Sequence, residues 1–81
     1  MNVKVLYFAS ARDLASTGTE TLSVSKGTLV DGLAGIIVKL HPGLGRLKGS
    51  VRFSVNYVVV DGDEPLHDGD EVGVLPPIAG G

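Results

Sequence analysis

Only one stretch of this chain repeats its apolar residues at a helical interval; the rest is written in short strands and turns. Leu29, Leu33, Ile36, Ile37 and Leu40 fall at i, i+4, i+7, i+8 and i+11, a single stripe along one helix. Thr28 reads as its N-cap, with Asp31 three residues on completing a weak capping box and suiting the positive end of the helix. Gly32 and Gly35 interrupt the stripe, each costing about 1 kcal/mol against alanine. They either admit a strand at close range or are simply tolerated. Intrinsic propensity is therefore poor, and packing on a sheet must hold the helix. His41-Pro42-Gly43 ends it, because the residue before proline avoids the helical region and glycine turns left-handed.

The strands surround that helix. Val3, Val5 and Tyr7 alternate with Lys4, Leu6 and Phe8, so both faces are largely apolar and the strand belongs near the middle of a sheet. Ser10 to Ser16 holds one helical turn and Gly18 breaks it. Thr19 to Val24 forms a second strand, and the short gap predicts antiparallel pairing with the first. Leu44 to Ser50 is a connector with room for one 3₁₀ turn. Arg52 to Asn56 and Tyr57 to Val60 are either one bent strand or two joined near Asn56. Asp61-Gly62-Asp63-Glu64-Pro65 and His67-Asp68-Gly69-Asp70 are turns flanking a lone apolar anchor, Leu66. Glu71 to Leu75 is the last strand. Two strands, a crossover helix and further strands predict an α+β, β-grasp (ubiquitin-like) domain over residues 1–75. Its mixed sheet has about 4–5 strands, with the main helix on one face. Residues 76–81 leave it as a flexible tail.

Chemistry is excluded more readily than it is found. The 81 residues contain no cysteine, which removes disulfides, thiolate zinc sites, iron–sulfur clusters and a cysteine nucleophile. A net charge of −2 offers no grip on nucleic-acid phosphates. The longest apolar run, Val5 to Ala9, is far below the ~20 residues of a membrane span, and no leader pattern opens the chain. A soluble cytoplasmic domain is expected, with no bound cofactor or metal. His41 and His67, the only histidines, sit in turns without metal-ligand spacing. No serine lies in a nucleophile motif. Gly43-Leu44-Gly45 follows a helix instead of opening one, so it is weak phosphate bait at most.

Three surface features remain. Acids crowd between Asp61 and Glu71, either as polar turns or as a face that steers a basic partner. If Val3, Val5 and Tyr7 face the helix, then Leu6, Phe8 and Leu75 share the other face of the sheet. That face is either covered by a loop or the short helix near Leu14, or it is a partner surface. Finally, Pro76-Pro77 stiffens the root of a tail closing in Gly80-Gly81. Six residues at roughly 3.3 Å each reach about 20 Å, enough to carry a terminal carboxylate into a narrow channel. Glycine keeps that end slim, since any Cβ would widen it.

Lys4-Val5-Leu6-Tyr7-Phe8-Ala9, Val55-Asn56, Leu66 with Asp68-Gly69-Asp70-Glu71-Val72, and the closing Pro76-Pro77-Ile78-Ala79-Gly80-Gly81 together resemble the MoaD/ThiS family of ubiquitin-like sulfur carriers. The likeness runs end to end and is nearest to the molybdopterin synthase branch. Ala79 stands where the family often has serine or threonine, a small residue for a small residue. The resemblance implies that an E1-like adenylyltransferase spends ATP on the Gly81 carboxylate. A persulfide sulfur donor then converts it to a thiocarboxylate. The sulfur goes to a cyclic pterin monophosphate inside the large synthase subunit, on a heterotetramer. Gly80 and Gly81 would be the reacting end, and Phe8, Leu75, Pro76, Pro77, Ile78 and Ala79 would bind the partner. The chain would be non-catalytic alone. A carrier for thiamin or transfer-RNA thiolation, and a ubiquitin-like tag or binding module, are the alternatives.

Overall fold

The computed structural model describes residues 1–47 and 49–77. Five strands form one mixed sheet in the order β2-β1-β5-β3-β4. They are β1 (Asn2–Tyr7), β2 (Thr19–Ser23), β3 (Arg52–Val55), β4 (Val58–Val60) and β5 (Glu71–Leu75). β1 and β5 pair in parallel at the centre; every other pairing is antiparallel. This is the β-grasp arrangement expected from the order of elements.

One face of the sheet meets α2 (Val30–Leu40). Val3, Val5 and Tyr7 of β1 and Val72 and Val74 of β5 are buried there, together with Val30, Leu33 and Ile37 of the helix and the anchor Leu66. The stripe that sinks is thus shifted toward Val30, while Leu29 and Leu40 at its ends are exposed. Neither helical glycine admits a strand. A Cβ at Gly32 would meet only Thr28, and one at Gly35 nothing within 4 Å, so both are tolerated substitutions.

The helix also begins differently from the sequence expectation. Leu29, not Thr28, is the N-cap, and no side chain caps it. The Thr28 hydroxyl instead donates to the Ser25 carbonyl at 2.7 Å. Its place is taken by distant backbone: the N–H groups of Val30 and Asp31 donate to the carbonyls of Glu64 and Gly62, at 3.0 and 2.9 Å. The otherwise orphaned amides of a helix start are satisfied by a loop some thirty positions later in sequence.

A short helix α1 (Ala9–Ala15) follows β1, longer than the single turn expected, and buries Ala11 and Ala15. A 3₁₀ helix, Pro42–Leu47, follows α2. β3 and β4 are two strands, not one, joined by Asn56 and Tyr57, both at positive φ (50° and 71°). That is the geometry of a tight two-residue hairpin, which glycine usually supplies at the second position. Here Asn56 is pinned instead. Its Nδ2 donates to Asp70 Oδ1 at 3.0 Å, and its Oδ1 accepts from the Glu71 amide at 3.0 Å.

Candidate functional site

The last strand, β5, delivers the chain to one end of the sheet, and the candidate site is built around that exit. In β5 the side chains alternate strictly, so Val72 and Val74 enter the core while Gly73 and Leu75 face away from α2. Leu6, Gly73, Ser54 and Val59 then form one row across four strands of that far face. Leu75 lies opposite Arg52.

Phe8 closes this patch. Its amide donates to the Val74 carbonyl at 3.3 Å, extending the β1–β5 ladder by one bond, and its own carbonyl accepts the amides of Ala11 and Arg12 in α1. The side chain is held over Gly73: a Cβ placed there would lie 3.2 Å from the Phe8 ring and would collide with the Ser54 hydroxyl. Glycine inside a strand marks such close approaches. Gly73 is the site residue that the sequence reading passed over, and a glycine interrupting the Glu71–Leu75 strand was the available signal. Even so supported, Phe8 keeps 42% of its surface exposed, and Val59 56%. Leu6 and Leu75 are half-buried. The short helix does not cover them, because Ala11 and Ala15 join the core and Leu14 packs on Gly43. The apolar far face is therefore open beside the exit of the chain.

Pro76 is half-buried and Pro77 exposed, both immediately past this patch. Ile78, Ala79, Gly80 and Gly81 lie outside the described residues. On the helix side, a groove of about 840 Å³ opens between α2 and the β3–β4 hairpin. Lys39 and Arg52 stand among its lining residues, as do Asp31 and Asp61.

The remaining polar clusters are structural. His41 Nε2 lies 2.5 Å from Glu20 Oε2, the oxygen that also accepts the Tyr7 hydroxyl at 2.6 Å. The Tyr7 and His41 rings meet edge to face, 5.5 Å apart. Burial pushes the Tyr7 phenol well above its ordinary range, and the hydrogen bond and charge of Glu20 add to this. Burial also pushes the Glu20 carboxyl up, but the hydrogen bonds from Tyr7 and His41, with the His41 charge, outweigh it. Its net value is lowered. A carboxyl lowered by folding stabilises above its unfolded value, and that contribution fades as pH falls through the folded one. Glu20→Gln should therefore lower stability near neutrality by about 1 kcal/mol. It should also flatten the loss of thermal stability below about pH 5; melting curves across pH check both effects. Asp70 and Asp68 serve turns, accepting the amides of His67 (2.8 Å) and Asn2 (2.7 Å). Among the described residues no group of three or more His, Cys, Asp or Glu is arranged to hold a metal ion. No described helix is long and apolar enough to cross a membrane.

The comparisons with known proteins agree with this geometry. The ThiS family model matches residues 5–81. The molybdopterin synthase sulfur carrier subunit of Chlamydomonas reinhardtii is 37% identical over 83 residues, covering 100% of both chains. Among solved structures, small archaeal modifier protein 1 of Methanosarcina acetivorans matches with a TM-score of 0.82 and 30% identity, covering 99% of this chain and 96% of that one. The complex of subunits 1 and 2 of the Helicobacter pylori molybdopterin-converting factor contains a chain matching with a TM-score of 0.73 and 26% identity, covering 100% of both.

Proposed function

The chain belongs to the ThiS family, and from that premise we propose that it is the sulfur carrier subunit of a molybdopterin synthase. The observation that carries this reading is the full-length likeness to a curated subunit of that name, beside this chain's own Gly80-Gly81 end. The chemistry follows from the end of the chain. A terminal carboxylate has an ordinary pKa of about 3.5, so near neutrality it is ionised and a poor electrophile. An E1-like adenylyltransferase joins a Gly81 oxygen to the α-phosphorus of ATP and releases pyrophosphate. A persulfide sulfur then displaces AMP, and cleavage of its S–S bond by a thiol leaves a thiocarboxylate. That sulfur is the nucleophile, so the chain needs no cysteine.

The large synthase subunit receives the tail, Pro76, Pro77, Ile78 and Ala79 leading Gly80 and Gly81 inward, while Phe8 and Leu75 dock on its surface. Support for such a partner comes from the Helicobacter pylori relative, whose structure is a complex of subunits 1 and 2. Base chemistry and precursor binding belong to that partner. The carrier itself holds no cofactor and works in the cytoplasm, beside the ATP that activates it.

A second reading is favoured by the likeness to small archaeal modifier protein 1. A modifier ends in an isopeptide bond to a target lysine, whereas a carrier ends as a thiocarboxylate. Mass spectrometry of the protein isolated from its native cell separates the two. The exchange of one oxygen for sulfur at Gly81 is the expected result; branched lysine peptides without that exchange would replace the carrier by a tag.

A further inference from the structure

The turn between β3 and β4 holds a residue against its preference. Asn56 and Tyr57 both have positive φ, 50° and 71°. Asparagine enters that region readily, but a bulky aromatic residue seldom does. Glycine is the usual second residue of such a turn. The tyrosine that stands there is 77% exposed, the highest value among the large hydrophobic side chains described, so core packing does not offset the strain. Its hydroxyl donates to Glu71 Oε1 at 3.1 Å. Glu71 alternates with Val72 in β5 as Gly73 and Leu75 do, so it shares their face, turned away from α2. The Tyr57 ring is thereby laid on the corner of that face diagonally opposite Phe8, beyond β5 and at the other end of the strands. Between the two rings runs the row of Leu6, Gly73, Ser54 and Val59.

We propose that Tyr57 is a second aromatic anchor of the docking face, covered together with Phe8 when the carrier meets the large synthase subunit. The inference rests on the sulfur-carrier reading and extends its docking face from the exit of the chain to the opposite end of the sheet. The dimensions let one partner cover both rings. Four residues along the strands and two strand spacings separate the corners, about 13 Å by about 10 Å. A standard interface takes about 800 Å² from each partner, a patch about 30 Å across. Val59, 56% exposed, continues the apolar surface between the rings. Tyrosine suits an anchor, because its large ring loses little conformational freedom on binding and is enriched among residues that dominate interface energies. The easier fit of glycine is forgone and an aromatic ring stands on the docking face instead, which is the pattern of strain held at a binding clamp.

Tyr57→Gly tests the assignment because its two readouts should move in opposite directions. Glycine fits the backbone angle without strain, and the Asn56 bonds to Asp70 and Glu71 remain. The melting temperature should therefore rise by about 4 °C. Binding of the full-length chain to the large subunit from the same organism, measured by titration calorimetry, should weaken about tenfold or more. The unaltered protein supplies an independent measurement. It has two tyrosines and no cysteine, and Tyr7 is buried, so tetranitromethane should nitrate Tyr57 alone, as read from the mass of the carrier. The large subunit should slow that nitration at least about tenfold, as expected for a ring enclosed in an interface core. Three results overturn the anchor and leave the carrier reading intact: unchanged affinity of Tyr57→Gly, weaker binding together with a lower melting temperature, or undiminished nitration in the complex. Absence of any complex with the unaltered protein removes both.

Discussion

Deleting Gly81 is expected to abolish thiocarboxylate formation and sulfur transfer while leaving the melting temperature where it was. The two halves of this result have separate causes. In the proposed carrier, reactivity resides in the terminal carbonyl group of Gly81; a chain ending at Gly80 still has a carboxylate, but it stops about 3.3 Å short. A misplacement of even 1 Å can cost about 100-fold in rate, and this one is larger. Stability is untouched because the last buried core residue described is Val74, seven positions upstream. Single-turnover transfer and a thermal melt of the same sample check both halves. A fall of several degrees would mean that the end of the chain packs on the domain, and the delivery mechanism would fail.

The second large effect concerns Phe8. Phe8→Asp should weaken binding to the large subunit about 100-fold, within the range of about 2–4 kcal/mol lost when an interface aromatic is truncated. Folding should change by no more than about 1 kcal/mol, because the ring already meets solvent over 42% of its surface. Gly73→Val provides the contrast. It inserts carbon where Ser54 and the Phe8 ring lie, so it should cost about 1–3 kcal/mol of folding free energy as well as disturbing the patch. Titration calorimetry with parallel denaturant melts distinguishes them. Equal damage to folding from both substitutions would place Phe8 in the core and remove it from the docking surface.

What could be read in the sequence follows from how local the cause is. β1, β5 and the centre of α2 were legible because alternation and the 3.6-residue period report burial directly, as with Val3, Val5, Leu33 and Ile37. The ends of α2 were not. Leu29 looks apolar in register, yet Val30 takes the buried place, because carbonyls from Gly62 and Glu64 fix where the first turn starts. The β3–β4 hairpin was ambiguous because Tyr57 is an unusual residue for φ of 71°. Bonds of Asn56 and Tyr57 to Asp70 and Glu71 hold the turn, and they span about fifteen positions. His41 likewise looked like a turn residue, and its bond to Glu20 arises from the packing of helix against sheet. At the candidate site, the far-face positions of Phe8 and Leu75 followed from alternation. Gly73 did not, since its role depends on two side chains from other strands.

Strand β4 carries one more consequence. It is three valines long and lies at the border of the sheet, with no strand paired to its outer edge among the described residues. A longer border of that composition would be a template for strands of other molecules. Its brevity leaves too few free amides for a stray chain to grip. A carrier of the kind proposed, passing in turn between an activating enzyme and an acceptor, would gain from being a poor seed for self-association.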